Sequence, residues 1–107
     1  MSVAKGGITM KKKAIIYLRG HNQEKQEVFC RVYAAYKGYK VLFVTTDIGA
    51  VNGCDLLLVT NPSRISRNRI EYQIIVNKLK KKGIEVESAI EHDKADEFLS
   101  LTMDLLS

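Results

Sequence analysis

Residues 55–68 read DLLLVTNPSRISRN, and the stretch contains a strand, a break and a question. Leu56, Leu57, Leu58 and Val59 form an unbroken apolar run. A strand with no polar alternation is buried on both faces, as in a parallel sheet covered by helices. Pro62 has no amide proton to give a ladder, so the strand ends before it. Beyond the break stand Arg64 and Arg67, three residues apart and flanked by Ser63 and Ser66. Two guanidinium groups at the end of a buried strand either solvate the start of a helix or face an anion. In the first case Ser63 or Ser66 is a plain N-cap; in the second the arginines grip a phosphate.

The pattern on either side settles the fold class. Residues 13–19 form a short apolar run, rich in β-branched and aromatic residues, followed by Gly20, and read as a first strand. Residues 23–37 place Val28, Val32, Tyr33, Ala35 and Tyr36 at helical spacing, and Gly38 supplies the stop. Residues 40–46 (KVLFVTT) read as a second strand, and residues 47–53 (DIGAVNG) as a loop. The run at 55–60 is the third strand. A second helix is expected over 66–82, where Tyr72, Ile75, Val76 and Leu79 share a face before Gly83. Residues 84–89 read as a fourth strand. Asp93 suits the cap of a last helix carrying Phe98, Leu101 and Leu105 on one side. Strands alternating with helices imply a small three-layer α/β domain with a four-stranded, mainly parallel sheet over residues 13–107. Residues 1–12 read as a flexible basic arm.

Composition narrows the class further. With 107 residues the chain suits one domain, and 46% hydrophobic with 27% charged residues is ordinary for a soluble protein. No apolar run approaches the ~18 residues that span a bilayer, so no membrane role is expected. Cys30 and Cys54 lack metal-ligand spacing and read as thiols of a cytoplasmic protein. No phosphate-loop or dinucleotide-binding glycine motif is present, so no cofactor and no metal are expected. The net charge of +5 hides an asymmetry. From Arg64 to Lys82 there are seven basic residues against Glu71 alone, whereas from Glu85 onward there are seven acids against Lys94 alone. The first stretch suits a polyanion; its lysines also suit the end of a helix dipole.

Parallel sheets bind ligands beyond the carboxyl ends of their strands. Three loops are expected there: RGHNQ after the first strand, TDIGAVNG after the second and NPSRISRN after the third. Arg19, His21, Arg64 and Arg67 should therefore converge on a phosphate-sized site, with Asp47 a possible carboxylate partner for His21. His92 has no visible team.

The order of these features resembles the catalytic domain of the serine recombinases, the resolvase/invertase group. Tyr17-Leu18-Arg19-Gly20-His21 is similar to the family's Tyr-x-Arg-x-Ser strand end. Gln26, Cys30-Arg31-Val32-Tyr33-Ala34 and Gly38-Tyr39 follow in the family's order. Ser63-Arg64-Ile65-Ser66-Arg67-Asn68 resembles its Asp-Arg-x-x-Arg segment, LKKKGIEVESA its next helix end and strand, and residues 97–103 the start of its dimerisation helix. The resemblance implies phosphate or DNA contacts from Arg19, Gln26, Arg64, Arg67 and Asn68, with Lys80, Lys81 and Lys82 adding positive charge. It also implies a partner or homodimer contact through Phe98, Leu101 and Leu105.

In the family a serine attacks a DNA phosphate to form a phosphoserine link, and arginines stabilise the charge on the transferring group. His21 occupies that serine's position here, and Ser63 replaces the aspartate before the first arginine. Almost nothing separates Gly53 from Asp55, where the family carries a helix with a further active-site arginine. The resemblance thus implies a degenerate member that binds DNA or protein without cleaving strands. Two alternatives stand beside it: phosphoryl transfer with His21 as nucleophile, and a module that pairs with a full-length recombinase.

Overall fold

The computed structural model describes residues 11–90. The expected last helix, with Phe98, Leu101 and Leu105, lies outside the described residues, as does most of the basic arm. Four strands, β1 (Lys13–Tyr17), β2 (Lys40–Thr45), β3 (Leu56–Val59) and β4 (Glu85–Ser88), alternate with two helices, α1 (Gln23–Lys37) and α2 (Arg69–Lys81). All three pairings are parallel, and the strands lie in the order β2-β1-β3-β4.

Strand parity sorts the core into two layers, because successive side chains point to opposite faces. Ala14, Ile16 and Leu18 pack with Cys30 and Ala34 of α1 and with Leu56 and Leu58. Ile15 and Tyr17 pack on the other face with Leu57, Val59 and Leu79 of α2. All four residues of β3 are buried, as its unbroken apolar run requires. Truncating a fully buried leucine such as Leu58 leaves a cavity in this double-sided core and costs about 2–5 kcal/mol.

The elements differ from the sequence reading mainly at their ends. Helix α1 has the expected bounds, and Gly38 closes it in the left-handed region, its amide donating to Ala34 and Ala35 carbonyls. Helix α2 begins at Arg69 rather than Ser66. Residues Pro62–Arg64 coil into a short 3₁₀ turn, and Asn68, neither Ser63 nor Ser66, caps the helix. The 47–53 loop contains a 3₁₀ turn, Ile48–Ala50, capped by Asp47. Strand β2 is an edge strand with a register shift: Ala14 pairs with Val41 and Ile15 with Phe43, so Leu42 is the extra residue. Leu42 and Phe43 are exposed on this edge strand.

Burial pushes the Cys30 thiol up to about 12 and also raises that of the half-buried Cys54. No described helix is long and apolar enough to cross a membrane.

Candidate anion site at the β1/β3 switch point

The strand order reverses between β1 and β3: the chain moves from β1 outward to β2, then returns to lay β3 on β1's other side. At such a switch point the following connections run to opposite faces and leave a crevice beyond the carboxyl ends. The two loops that flank it here carry Arg19 to Asn22 and Asn61 to Asn68.

The loops are stitched together by their own arginines. Arg19 Nη1 donates to the Ile65 carbonyl at 2.8 Å, and Arg64 Nη1 donates to the Arg19 carbonyl at 3.2 Å. Gly20 makes this approach possible. Its φ is +85°, and a Cβ placed on it would stand 3.2 Å from Arg64 Nη1. Asn22 also has a positive φ, 59°, so the turn into α1 is tightly coiled.

Gln26 holds the first loop from below. It is buried, accepts from the Arg19 amide at 3.2 Å, and donates Nε2 to the carbonyls of Arg19 at 2.9 Å and His21 at 2.7 Å. Its amide is therefore committed to backbone. These three bonds hold the backbone of the loop that carries Arg19 and His21. Asn68 is similarly engaged: its Oδ1 accepts from the Ile70 and Glu71 amides. Ser66 Oγ accepts from the Asn68 amide, and Ser63 donates to Asn61 Oδ1.

Among the described residues no carboxylate pairs with the positive charge of the crevice. The one salt bridge among them joins Arg31 to Glu27 within α1. Arg19, Arg64 and Arg67 have no carboxylate partner there. Two buried polar atoms at the same place also lack a partner, Arg64 Nε and Thr60 Oγ1. Each guanidinium carries five donor hydrogens, and the loop contacts engage one nitrogen of Arg19 and one of Arg64. The remaining donors suit an oxyanion.

His21 is exposed, and its ring makes no hydrogen bond among the described residues; the contact it does make is through its carbonyl. Asp47, the partner expected for it, directs Oδ1 to the Gly49 amide at 2.9 Å. Lys80, Lys81 and Lys82 stand apart from the arginines. Helix α2 runs back from the carboxyl edge, and its 13 residues separate the two groups by about 20 Å. The basic stretch is one run in sequence and two patches in space.

Sequence inspection missed a second polar cluster. The Glu87 carboxylate on β4 accepts from Tyr33 at 2.7 Å and from Tyr39 at 2.8 and 2.9 Å. Desolvation first, then the hydrogen bond and charge of Glu87, push the Tyr39 phenol up to about 12. Residues 48–54 positions apart in sequence build this cluster, and no local motif marks it.

A four-stranded parallel sheet whose strand order reverses between β1 and β3 defines a doubly wound α/β domain. Residues 46–107, more than half of the chain, match the family described as Resolvase, N terminal domain, and the chain belongs to that family. The fold is that of a serine recombinase catalytic domain. It resembles the solved C-terminal catalytic domain of ISC1926 TnpA, an IS607-like serine recombinase, with a TM-score of 0.61 and 22% identity over 81% of this chain and 77% of that one. No curated protein matches the chain.

Proposed function

We propose that this resolvase-family chain is a DNA-binding regulatory module that grips phosphate through Arg19, Arg64 and Arg67 and does not itself cleave strands. The observation that carries the reading is the set of arginines at the β1/β3 switch point without a carboxylate partner among the described residues. In the family's chemistry these groups stabilise charge on a phosphoryl group that a serine has attacked. Here the corresponding side chain is His21, whose ring stands exposed and unassisted by Asp47. A nucleophile needs an adjacent base or an activating environment, and among the described residues no group hydrogen-bonds to the His21 ring.

The grip works by electrostatics and geometry. Arg19 and Arg64 are held by each other's loops, so little side-chain freedom remains to be lost when an anion arrives. Arg67, exposed in the same loop, adds charge and has no hydrogen-bond or salt-bridge partner among the described residues. Phosphates of a DNA backbone satisfy such a site without sequence information.

The test is a supercoiled plasmid incubated with the protein and quenched to trap covalent adducts. The expected result is binding without nicking or adduct. An adduct that disappears with His21→Ala would overturn this reading and establish phosphoryl transfer through a phosphohistidine.

A further inference from the structure

A second group of cations stands at the amino edge of the sheet, opposite the arginine crevice. Lys13 and Lys40 open β1 and β2 and are register partners on neighbouring strands, about 4.8 Å apart. Lys12 lies just before them, its carbonyl accepting from the Lys40 amide at 2.8 Å, and Lys11 precedes it. Both helices run back across the sheet and end at this edge, α1 with Lys37 and α2 with Lys80, Lys81 and the cap residue Lys82. All eight of these lysines are exposed. Tyr36, one residue before Lys37, is 85% exposed and adds a phenol donor at their border.

Helix dipoles account for part of this charge. A helix C-terminus carries about half a negative charge, and two acids share the edge: Asp55 just before β3, and Glu85 at the start of β4. Two helix ends and two acids offset fewer than half of the eight lysines. Asp55 directs Oδ2 to the Lys13 amide at 2.7 Å, and among the described residues no lysine enters a salt bridge. The surplus is not arranged for a small anion. Helix ends present carbonyls here, not amides, and the Lys13 amide is already taken by Asp55. A lysine is a compact charge on a flexible stem, without the fork that grips one phosphate from two sides. Such a field suits a polyanion with charge spread along a line, as in a duplex with one negative charge per about 1.7 Å of its axis.

We propose that the amino edge of the sheet is a second nucleic-acid surface, holding the backbone of a duplex through Lys12, Lys13, Lys40 and the lysines that end the two helices. Contacts of this kind go to phosphates and carry no sequence information. The surface is separate from the crevice. The two lie about 20 Å apart along α2, and between them the helix exposes Ile70 and Ile74, by 73% and 50%. Isoleucine offers a phosphate nothing, so each edge meets its own stretch of backbone. The lysine surface stands on its own placement; only the consequence that one chain holds two stretches of duplex rests on the function proposed above.

Binding of a short mixed-sequence duplex to the full-length protein, followed over a range of salt concentrations, tests this. Lys12, Lys13 and Lys40 are changed together to glutamine, and circular dichroism checks that these exposed substitutions leave the fold intact. The slope of log affinity against log salt should fall by about 2–3, with inorganic phosphate binding unchanged. Arg64→Ala alone should retain duplex binding, and adding the three glutamines to it should remove most of what remains. An unchanged slope would overturn the proposal, and so would loss of inorganic phosphate binding in the triple variant. Polyglutamate held by the Arg64→Ala protein as tightly as the duplex would also overturn it, in favour of an acidic protein partner. Inorganic phosphate reports on the arginine crevice alone, so failure of the crevice and failure of the lysine edge give different results.

Discussion

Arg64 and Arg19 brace each other across the switch point: Arg64 donates from Nη1 to the Arg19 carbonyl, while Arg19 reaches past it to the carbonyl of Ile65. Two like charges are held close by backbone acceptors rather than by an acid. Such an arrangement keeps their charge available while fixing their position. It also makes the crevice sensitive to any change in the loop backbone that separates them.

Gly20→Ala should expose that sensitivity. A methyl group at φ +85° is strained, and it would stand 3.2 Å from Arg64 Nη1. The conformational penalty is about 1–3 kcal/mol, and relief requires Arg64 to withdraw from the Arg19 carbonyl. Urea denaturation should show a loss within that range, together with weaker phosphate binding. Unchanged stability would mean that the loop relaxes freely and that the brace has little importance.

Gln26→Ala removes three hydrogen bonds to the same loop from a buried position. An unsatisfied backbone group costs about 1–3 kcal/mol where it is shielded from water. Since water can reach part of this loop, we expect a total loss of about 2–3 kcal/mol. Gln26→Glu keeps an acceptor for the Arg19 amide but turns a carboxylate oxygen toward the Arg19 and His21 carbonyls, and should be at least as destabilised as alanine. Equal stability of all three proteins in a denaturant titration would remove the bracing role.

How much of this could be read from the sequence depended on whether the signal was local. The buried strand at 56–59, the α1 bounds and the α/β alternation followed from apolar runs and from Gly38, which act within a few residues. The meeting of Arg19 with Arg64 followed from topology alone, since parallel strands bring their carboxyl ends to one edge. What Gln26 and Asn68 do there was not legible. An amide near a site reads equally as a ligand contact or a brace, and the choice rests on three-dimensional hydrogen bonds. The lysines at 80–82 show a spatial separation that the sequence does not. Nearness to Arg64 in sequence suggested one surface, but the intervening helix carries them to the far end of the sheet.

Tyr39 gives the fold a pH dependence in alkaline solution. Its phenol is raised from the ordinary tyrosine value of 10.0 to about 12 by desolvation and by Glu87. Between those values the folded protein holds a proton that the unfolded chain releases. The stability contributed by the neutral phenol is therefore complete below about pH 10 and is lost as pH rises through about 12. Tyr39→Phe should be less stable at neutral pH, because the hydrogen bond to Glu87 is gone, but should show a shallower decline between pH 9.5 and 11.5. Parallel slopes for the two proteins in denaturant titrations across that range would assign the alkaline loss to other groups.

The separation of the two basic patches predicts that they contribute differently to DNA binding. A B-DNA duplex rises 3.4 Å per base pair on each strand, so a protein contacting it at two points about 20 Å apart touches phosphates roughly six pairs away from each other. Arg64→Ala should abolish inorganic phosphate binding, weaken DNA binding and reduce the slope of log affinity against log salt by about 1. Replacing Lys80, Lys81 and Lys82 together with alanine should leave phosphate binding intact. If the duplex spans both patches, the lysine variant also loses salt dependence, by more than Arg64→Ala because three charges are removed. If the duplex contacts the crevice alone, the lysine variant binds with unchanged slope. A lysine variant that loses phosphate binding would mean that the arginine crevice is not the anion site.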